Sequence, residues 1–255
     1  MALTATYFTD PFCPWSWAAE PHLRRLRSEF AEQVVITYVI GGMEQALHGD
    51  RLTYVGEWIK AGAESRMPID PRGLLEDPPA ATSPAGLAVK AVAEQADPAP
   101  FLRRLRETIM VERGRADRGD ALLDVARGTV PALDLEKLGI AFGSNAIVEA
   151  LGEDLARAAG IGLPTLHFGD GLEVTGDEPY ERWRAVAVEA GGSLSEEPAP
   201  GVEEALRRWG AMATVEVAAV CDLPGPRASF ELWRLAMEWR VRPRRVAGGE
   251  LWSLA

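Results

Sequence analysis

A cysteine followed by a proline stands where a strand-forming run gives way to a helical one, and this junction constrains the chain more than any other feature. Residues 4–9 (Thr-Ala-Thr-Tyr-Phe-Thr) are mostly β-branched and aromatic, the composition of a strand. Asp10-Pro11-Phe12 reads as a turn before Cys13. Pro14 suits the first helical position, where its missing N–H leaves no bond unmade. Ala19, Leu23, Leu26 and Phe30 lie on one face of that helix, which Pro21 should kink. Residues 34–40 (Val-Val-Ile-Thr-Tyr-Val-Ile) predict a parallel strand covered on both faces. Residues 4–42 therefore predict a βαβ unit closed by Gly41 and Gly42.

A thiol one residue ahead of a helix meets unpaired N–H groups and the positive end of the helix dipole. Such placement lowers a cysteine pKa from ~8.5 toward roughly 3.5–7.5, so Cys13 is expected to be a thiolate nucleophile. Ser16, one helical turn on, can donate a hydrogen bond to that sulfur but cannot close a disulfide. The bland alternative is a packing cysteine beside Trp15 and Trp17.

Residues 53–160 predict helices, with starts at Ser83-Pro84, Asp97-Pro98 and Asp134 and breaks at Pro71, Pro78, Pro79 and Pro131. Strand patterns return at Thr165–Phe168 and Leu172–Thr175, joined through Gly169-Asp170-Gly171, and a helix follows from about Tyr180 to Ala190. The order is βαβ, a helical block, then ββα. Residues 191–201 read as a linker. The last 55 residues carry 8 Arg and 7 acids, net +1, which leaves −12 on the remainder. Their pattern of three helices and a hairpin around Ala247-Gly248-Gly249 resembles a winged helix. A DNA-reading wing would use Arg240, Arg242, Arg244 and Arg245, but Glu231 and Glu238 on the third helix argue against it.

Composition narrows the function further. A chain of 255 residues, 47% apolar, allows one large domain or a domain with an appendage. Lys+Arg number 27 against 38 Asp+Glu, and the charge of −11 disfavours nucleic acid or an anionic membrane surface as partner. Cys13 and Cys221 make no disulfide framework, and with His22, His48 and His167 they show no metal-binding spacing. No apolar run approaches the ~20 residues of a spanning helix, and the first residues lack a basic leader. These features predict a cytoplasmic protein with neither metal nor membrane partner. Cys221 is expected in a core, with a resolving thiol as the alternative. His22 is expected in solvent and His167 along a strand, while Gly41-Gly42-Met43 could border the active-site groove.

Asp10-Pro-Phe-Cys-Pro-Trp-Ser-Trp17 resembles the active-site segment of the DsbA-like branch of thioredoxin-fold proteins, which carries a Cys-Pro-Trp-Cys-type motif after its first strand. The kinking proline fits the same pattern. Residues 110–126 are similar to a helical-insert signature of that family. Gly162-Leu163-Pro164-Thr165 is similar to the loop whose cis-proline precedes the third strand and faces the catalytic cysteine. The resemblance covers about residues 4–190 and is nearest to the cytoplasmic subgroup of YjbH-type adaptors and dithiol-disulfide isomerases. It implies an α/β thioredoxin fold over residues 1–190 with a helical insertion at about 53–160, and it leaves 202–255 as a separate winged-helix-like module.

The resemblance also implies catalytic roles for Cys13 and Ser16, and substrate binding by Pro14, Trp15, Leu163, Pro164 and Thr165. Ser16 departs from the dithiol pattern. What remains is monothiol chemistry, in which Cys13 attacks a disulfide and holds a mixed disulfide until another thiol resolves it. The related kappa-class glutathione transferases and hydroxychromene carboxylate isomerases place a serine at the equivalent of the cysteine and bind glutathione. Glutathione or another small thiol is thus the implied co-substrate, with no tightly bound cofactor. The leading expectation is a thiol–disulfide oxidoreductase or thiol transferase acting on a disulfide-bearing protein or small thiol. The alternatives are a non-catalytic adaptor for a client protein and a kappa-class type of isomerase or transferase.

Overall fold

Strand β1 (Leu3–Thr9) runs through the middle of a four-stranded sheet, and its tyrosine and leucine side chains are buried in the main core. The computed structural model describes residues 2–42, 50–130 and 132–255; Met43, His48 and Pro131, invoked above, lie outside them. Pro14–Ala18 forms helix α1, and Glu20–Glu29 forms α2. The expected single kinked helix is therefore two. Pro21 sits in the first turn of α2, where a proline is tolerated, and the chain breaks at Ala19 rather than bending within a helix. Leu23, Leu26 and Phe30 are buried as their spacing predicts, each contributing roughly 1.5–3 kcal/mol by leaving water.

Strand β2 (Val34–Ile40) pairs parallel with β1 from Leu3↔Val34 to Thr9↔Ile40. It is an edge strand, and its first half alternates between half-buried and exposed. The expectation of cover on both faces thus holds only for Tyr38, Val39 and Ile40. Strand β3 (Thr165–Gly169) lies antiparallel on the other side of β1, and β4 (Leu172–Thr175) completes the order β2-β1-β3-β4. Helix α10 (Tyr180–Glu189) follows and buries Tyr180, Trp183 and Val186. This is the thioredoxin fold.

Between β2 and β3 lies a block of helices: α3 (Arg51–Ser65), α4 (Gly73–Glu76), α5 (Ser83–Ala93), α6 (Ala99–Met110), α7 (Gly119–Arg127), α8 (Leu135–Ala141) and α9 (Asn145–Ala158). Ser144 caps α9 and Asp134 caps α8, each side chain accepting from the backbone N–H three residues on, at Ile147 and Lys137. The apolar positions Phe101, Leu102, Leu105 and Ile109 of α6 join the same core as the sheet.

The C-terminal residues form α11 (Val202–Trp209), β5 (Met212–Ala213), α12 (Thr214–Val220), α13 (Arg227–Met237), β6 (Val241–Val246) and β7 (Gly249–Leu254). The strands make a second sheet, ordered β5-β7-β6. Strand β5 has two residues, too few for periodicity to reveal. A second core gathers Leu206, Met212, Val217, Leu232 and the fully buried Trp252. Helix α12 lies along α2. Residues 191–201 contain no helix or strand, yet the Ser195 N–H donates to the Glu29 carbonyl at 2.7 Å.

Candidate active site

Asp10 shapes the turn that delivers Cys13. One carboxylate oxygen accepts the Phe12 N–H at 2.6 Å, and the Cys13 N–H reaches the Asp10 carbonyl at 3.3 Å. Cys13 then caps α1 with extended backbone (φ −71°, ψ 115°), Pro14 takes the first helical position, and the sulfur accepts the Ser16 N–H at 3.4 Å. The Cys13 S–H donates to the Leu163 carbonyl at 3.8 Å, across 150 residues of sequence. The Leu163–Pro164 peptide is cis. Pro164 is buried against Gly176, where a Cβ would stand 2.4 Å from the proline ring; only glycine allows that approach. Fold and loop together therefore bring Cys13, Leu163 and Pro164 into one place.

The thiol's ionisation runs opposite to the expectation from helix placement. Burial pushes the Cys13 pKa up, and the Asp10 carboxylate pushes it further the same way. Hydrogen bonds from the Ser16 hydroxyl and from the Ser16 and Trp15 amides oppose this without reversing it. With only five residues, α1 has a short dipole to offer. Burial and the Asp10 carboxylate thus favour the protonated thiol.

Cys13 opens into a cavity of about 240 Å³. Its floor is Asp10, Phe12, Pro14 and Trp15; Gly42 bounds one side, and Tyr54, Glu57 and Trp58 of α3 close over it with Leu74 and Thr82. The Trp15 indole N–H donates to Glu57 at 3.3 Å. Gly42 has φ +68°, and a Cβ there would lie 2.7 Å from the Asp10 carboxylate. Of the residues singled out in the sequence, Cys13, Pro14 and Trp15 line the cavity, while Ser16, Leu163, Pro164 and Thr165 do not. Ser16 is fully buried beneath the sulfur, so it can act only through Cys13. Thr165 is buried too, and its hydroxyl donates to the Gly162 carbonyl at 2.5 Å, bracing the proline loop. The roof residues escaped sequence reading because α3 meets the site only in three dimensions.

Behind the site lies a buried ionic network that the sequence did not announce. Arg106 is buried and donates to Glu20 at 2.6 Å and to the Thr9 hydroxyl. Arg103 reaches Glu20 at 3.7 Å, Glu107 at 3.2 Å and Glu216 at 2.9 Å, with Trp17 packed 4.2 Å beneath its guanidinium. Arg24 meets the same Glu216 at 3.2 Å and donates to the Trp209 and Ala211 carbonyls. Glu216 also accepts the Ala213 N–H at 2.7 Å, closing the first turn of α12. The neighbouring arginines hold the Glu20 carboxyl below the usual range despite its burial. A signal existed for Glu216: it stands three residues after the helix-capping position, the spacing of a carboxylate that reaches back.

Other groups fall away from the site. Cys221 is buried in the second core, where burial pushes its thiol up to about 12, and it does not line the Cys13 cavity. His22, expected in solvent, packs against Tyr180 and Trp183 at 5.9 and 5.6 Å between centroids; desolvation pushes its pKa down. His167 lies on β3, 2.7 Å from Glu173. Among the described residues no cluster of His, Cys, Asp or Glu could hold a metal ion, and no helix is long and apolar enough to cross a membrane.

Comparison with known proteins agrees with this geometry. The ClpXP adapter protein SpxH of Halalkalibacterium halodurans is 28% identical over 266 residues, spanning 96% of this chain and 86% of that protein. The protein of the same name from Bacillus subtilis is 28% identical over 265 residues, spanning 96% and 87%. The cytosolic disulfide reductase DsbM from Pseudomonas aeruginosa, solved with GSH, superposes with a TM-score of 0.59 at 18% identity, covering 74% of this chain and 98% of its own. A family profile described as Thioredoxin matches residues 7–183, from β1 into α10. With the sheet order, the Cys-Pro junction and the proline loop in place, the chain belongs to the thioredoxin family.

Proposed function

We propose that this protein is an adaptor, joining a client polypeptide to a second protein instead of turning over a substrate. The observation that carries the reading is the outer face of α13. Phe230, Trp233 and Met237 recur at helical spacing, and Phe230 and Met237 are 72% and 75% exposed; Trp239, just beyond, is 87% exposed. Large side chains left in water on one face of a folded module mark a contact surface. The cavity at Cys13, whose sulfur lies 3.8 Å from the Leu163 carbonyl, suits an extended client segment, whereas the α13 face suits a folded partner. Likeness to the SpxH adaptors spans 96% of the chain and so takes in most of the last 55 residues. ClpXP is therefore the proposed partner at α13. Arg240 pairs with Glu203 and Arg244 with Glu112, which argues against these two serving as phosphate contacts of a DNA-reading wing.

Equilibrium binding of the purified chain to purified ClpXP tests this reading. The triple variant Phe230→Ala, Met237→Ala, Trp239→Ala should weaken association at least about tenfold, the scale of losing aromatic anchors, and Cys13→Ala should leave it unchanged. No association between the unaltered proteins would overturn it.

A second reading rests on the sulfur 3.8 Å from the Leu163 carbonyl and on the likeness to a disulfide reductase. In it, the ionised Cys13 attacks a disulfide, forming one S–S bond as the old one breaks and a thiolate leaves. Glutathione or another small thiol then releases the product, because Cys221 is far from the cavity. A kappa-class type of transfer would use the same cavity for the tripeptide. Turnover of a glutathione mixed disulfide that disappears in Cys13→Ala would favour this reading over the first.

A further inference from the structure

A second cavity, of about 260 Å³, shares no lining residue with the one at Cys13. Its walls come from α2, β2 and α6 and from the last turn of α11 in the C-terminal module. Five arginines line it: Arg24, Arg27, Arg103, Arg106 and Arg208. Such a gathering of cations stands out in a chain of net charge −11. Three of them are balanced, since Arg24, Arg103 and Arg106 pair with Glu20, Glu107 and Glu216 in the buried network. Arg27 and Arg208 have no carboxylate partner among the described residues; Arg27 donates to the Tyr38 hydroxyl at 2.9 Å, and the Arg208 guanidinium lies 5.0 Å from the Trp209 ring. Two further donors of lining residues, the Arg106 Nε–H and the Trp209 indole N–H, are buried without an acceptor. Donors around this cavity therefore exceed acceptors. Its two carboxylates do not redress this: Glu20 is held by Arg103 and Arg106, and the exposed Asp97 accepts the Ala99 N–H at 2.9 Å.

We propose that this cavity is a binding site for a small organic oxyanion, a carboxylate or a phosphate carried on an apolar body, with Arg27 and Arg208 as its charge partners. Each guanidinium presents a planar fork of donors that matches the oxygens of either head group. Leu23, Leu102 and Pro100 supply an apolar wall for the rest of the ligand. The volume falls just under the roughly 300–1,000 Å³ usual for small-molecule sites, which restricts the occupant to a small one. With the inner arginines balanced, Arg27 and Arg208 leave two positive charges against the one negative charge of Asp97, and an anion offsets the difference. The lining comes from the thioredoxin domain and from α11 alike, so an occupant touches both and stabilises them together. This site is separate from the Cys13 cavity and from the α13 face, and it stands whether the chain is an adaptor or an enzyme.

NMR titration of the unaltered chain tests this with three probes of similar shape: benzoate, phenyl phosphate and benzylamine. The Trp209 indole N–H signal, identified by its loss in Trp209→Phe, is the reporter. Benzoate or phenyl phosphate should move it saturably, and the tighter of the two names the head group. Benzylamine should bind at least about tenfold more weakly than that anion, the lower end for a hydrogen bond to a charged group. Arg27→Gln and Arg208→Gln should each weaken the tighter anion about tenfold. Alkylation of Cys13 by iodoacetamide beforehand should leave the affinity unchanged, because that cavity is a different one. No saturable shift with either anion, benzylamine binding as tightly, an unchanged affinity in Arg208→Gln, or an affinity lost on alkylating Cys13 would overturn the proposal. Arg208 is exposed, so its variant decides even where Arg27→Gln fails to fold. The titration contains neither ClpXP nor a disulfide, so this proposal and the functional readings fail separately.

Discussion

The cavity at Cys13 and the outer face of α13 treat their chemistry in opposite ways. At Cys13 a nucleophile is drawn inward: burial and Asp10 push its pKa up, and Ser16, whose N–H it accepts, is buried. On α13 and just past its end three large apolar side chains, Phe230, Met237 and Trp239, stand in water, although the module has a buried core around Trp252. Restraint at the reactive atom and exposure at the surface accord with the proposed adaptor. The two regions are also tied together, because Glu216 of α12 joins the arginine network that begins beneath Cys13.

Breaking that tie should have the largest effect. Glu216→Ala leaves Arg24 and Arg103 buried without their shared carboxylate, and denaturant unfolding should report a loss of about 3–5 kcal/mol. A loss under about 1 kcal/mol would mean that the two regions stand independently. The α13 variants should separate binding from folding. Each alanine substitution at Phe230, Met237 or Trp239 should change stability by no more than roughly 0.5 kcal/mol, the range for exposed positions. Larger losses would make the stripe part of a core.

The contrast also sharpens between the two thiols. Maleimide labelling at pH 9 should modify the half-buried Cys13 well before Cys221, whose thiol is pushed up to about 12. Equal rates would show the second core to be open. The smallest effect should come from Arg244→Ala, which removes a half-exposed ion pair with Glu112 at 2.5 Å. About 0.2–1 kcal/mol should be lost, and the loss should fade in high salt.

Much of the sheet was legible because its signals are local. Strand β2 was placed at its observed bounds, and the Gly-Asp-Gly turn located the β3–β4 hairpin. The junction at Cys13 was legible for the same reason. Its ionisation was not, because that depends on Asp10 and on a roof supplied by α3, some forty residues away. The arginine network was hidden by its own pattern. Arg103 and Arg106 alternate with Leu102 and Leu105 on α6, and nothing in that spacing announces that they pair with Glu20 of α2 and Glu216 of α12. The break at Ala19 escaped because a proline in a helical pattern marks either a kink or a new first turn, and spacing does not distinguish them.

Ionisation of Cys13 itself is the most direct measurement of the account. Because the folded thiol holds its proton more tightly than the unfolded one, its contribution to stability is present at neutral pH and is lost as pH rises through the folded value. Alkylation of Cys13 in the folded chain should therefore show a midpoint above about 8.5, the ordinary thiol value. A midpoint near 7 or below would show a thiolate poised for turnover and would contradict the account.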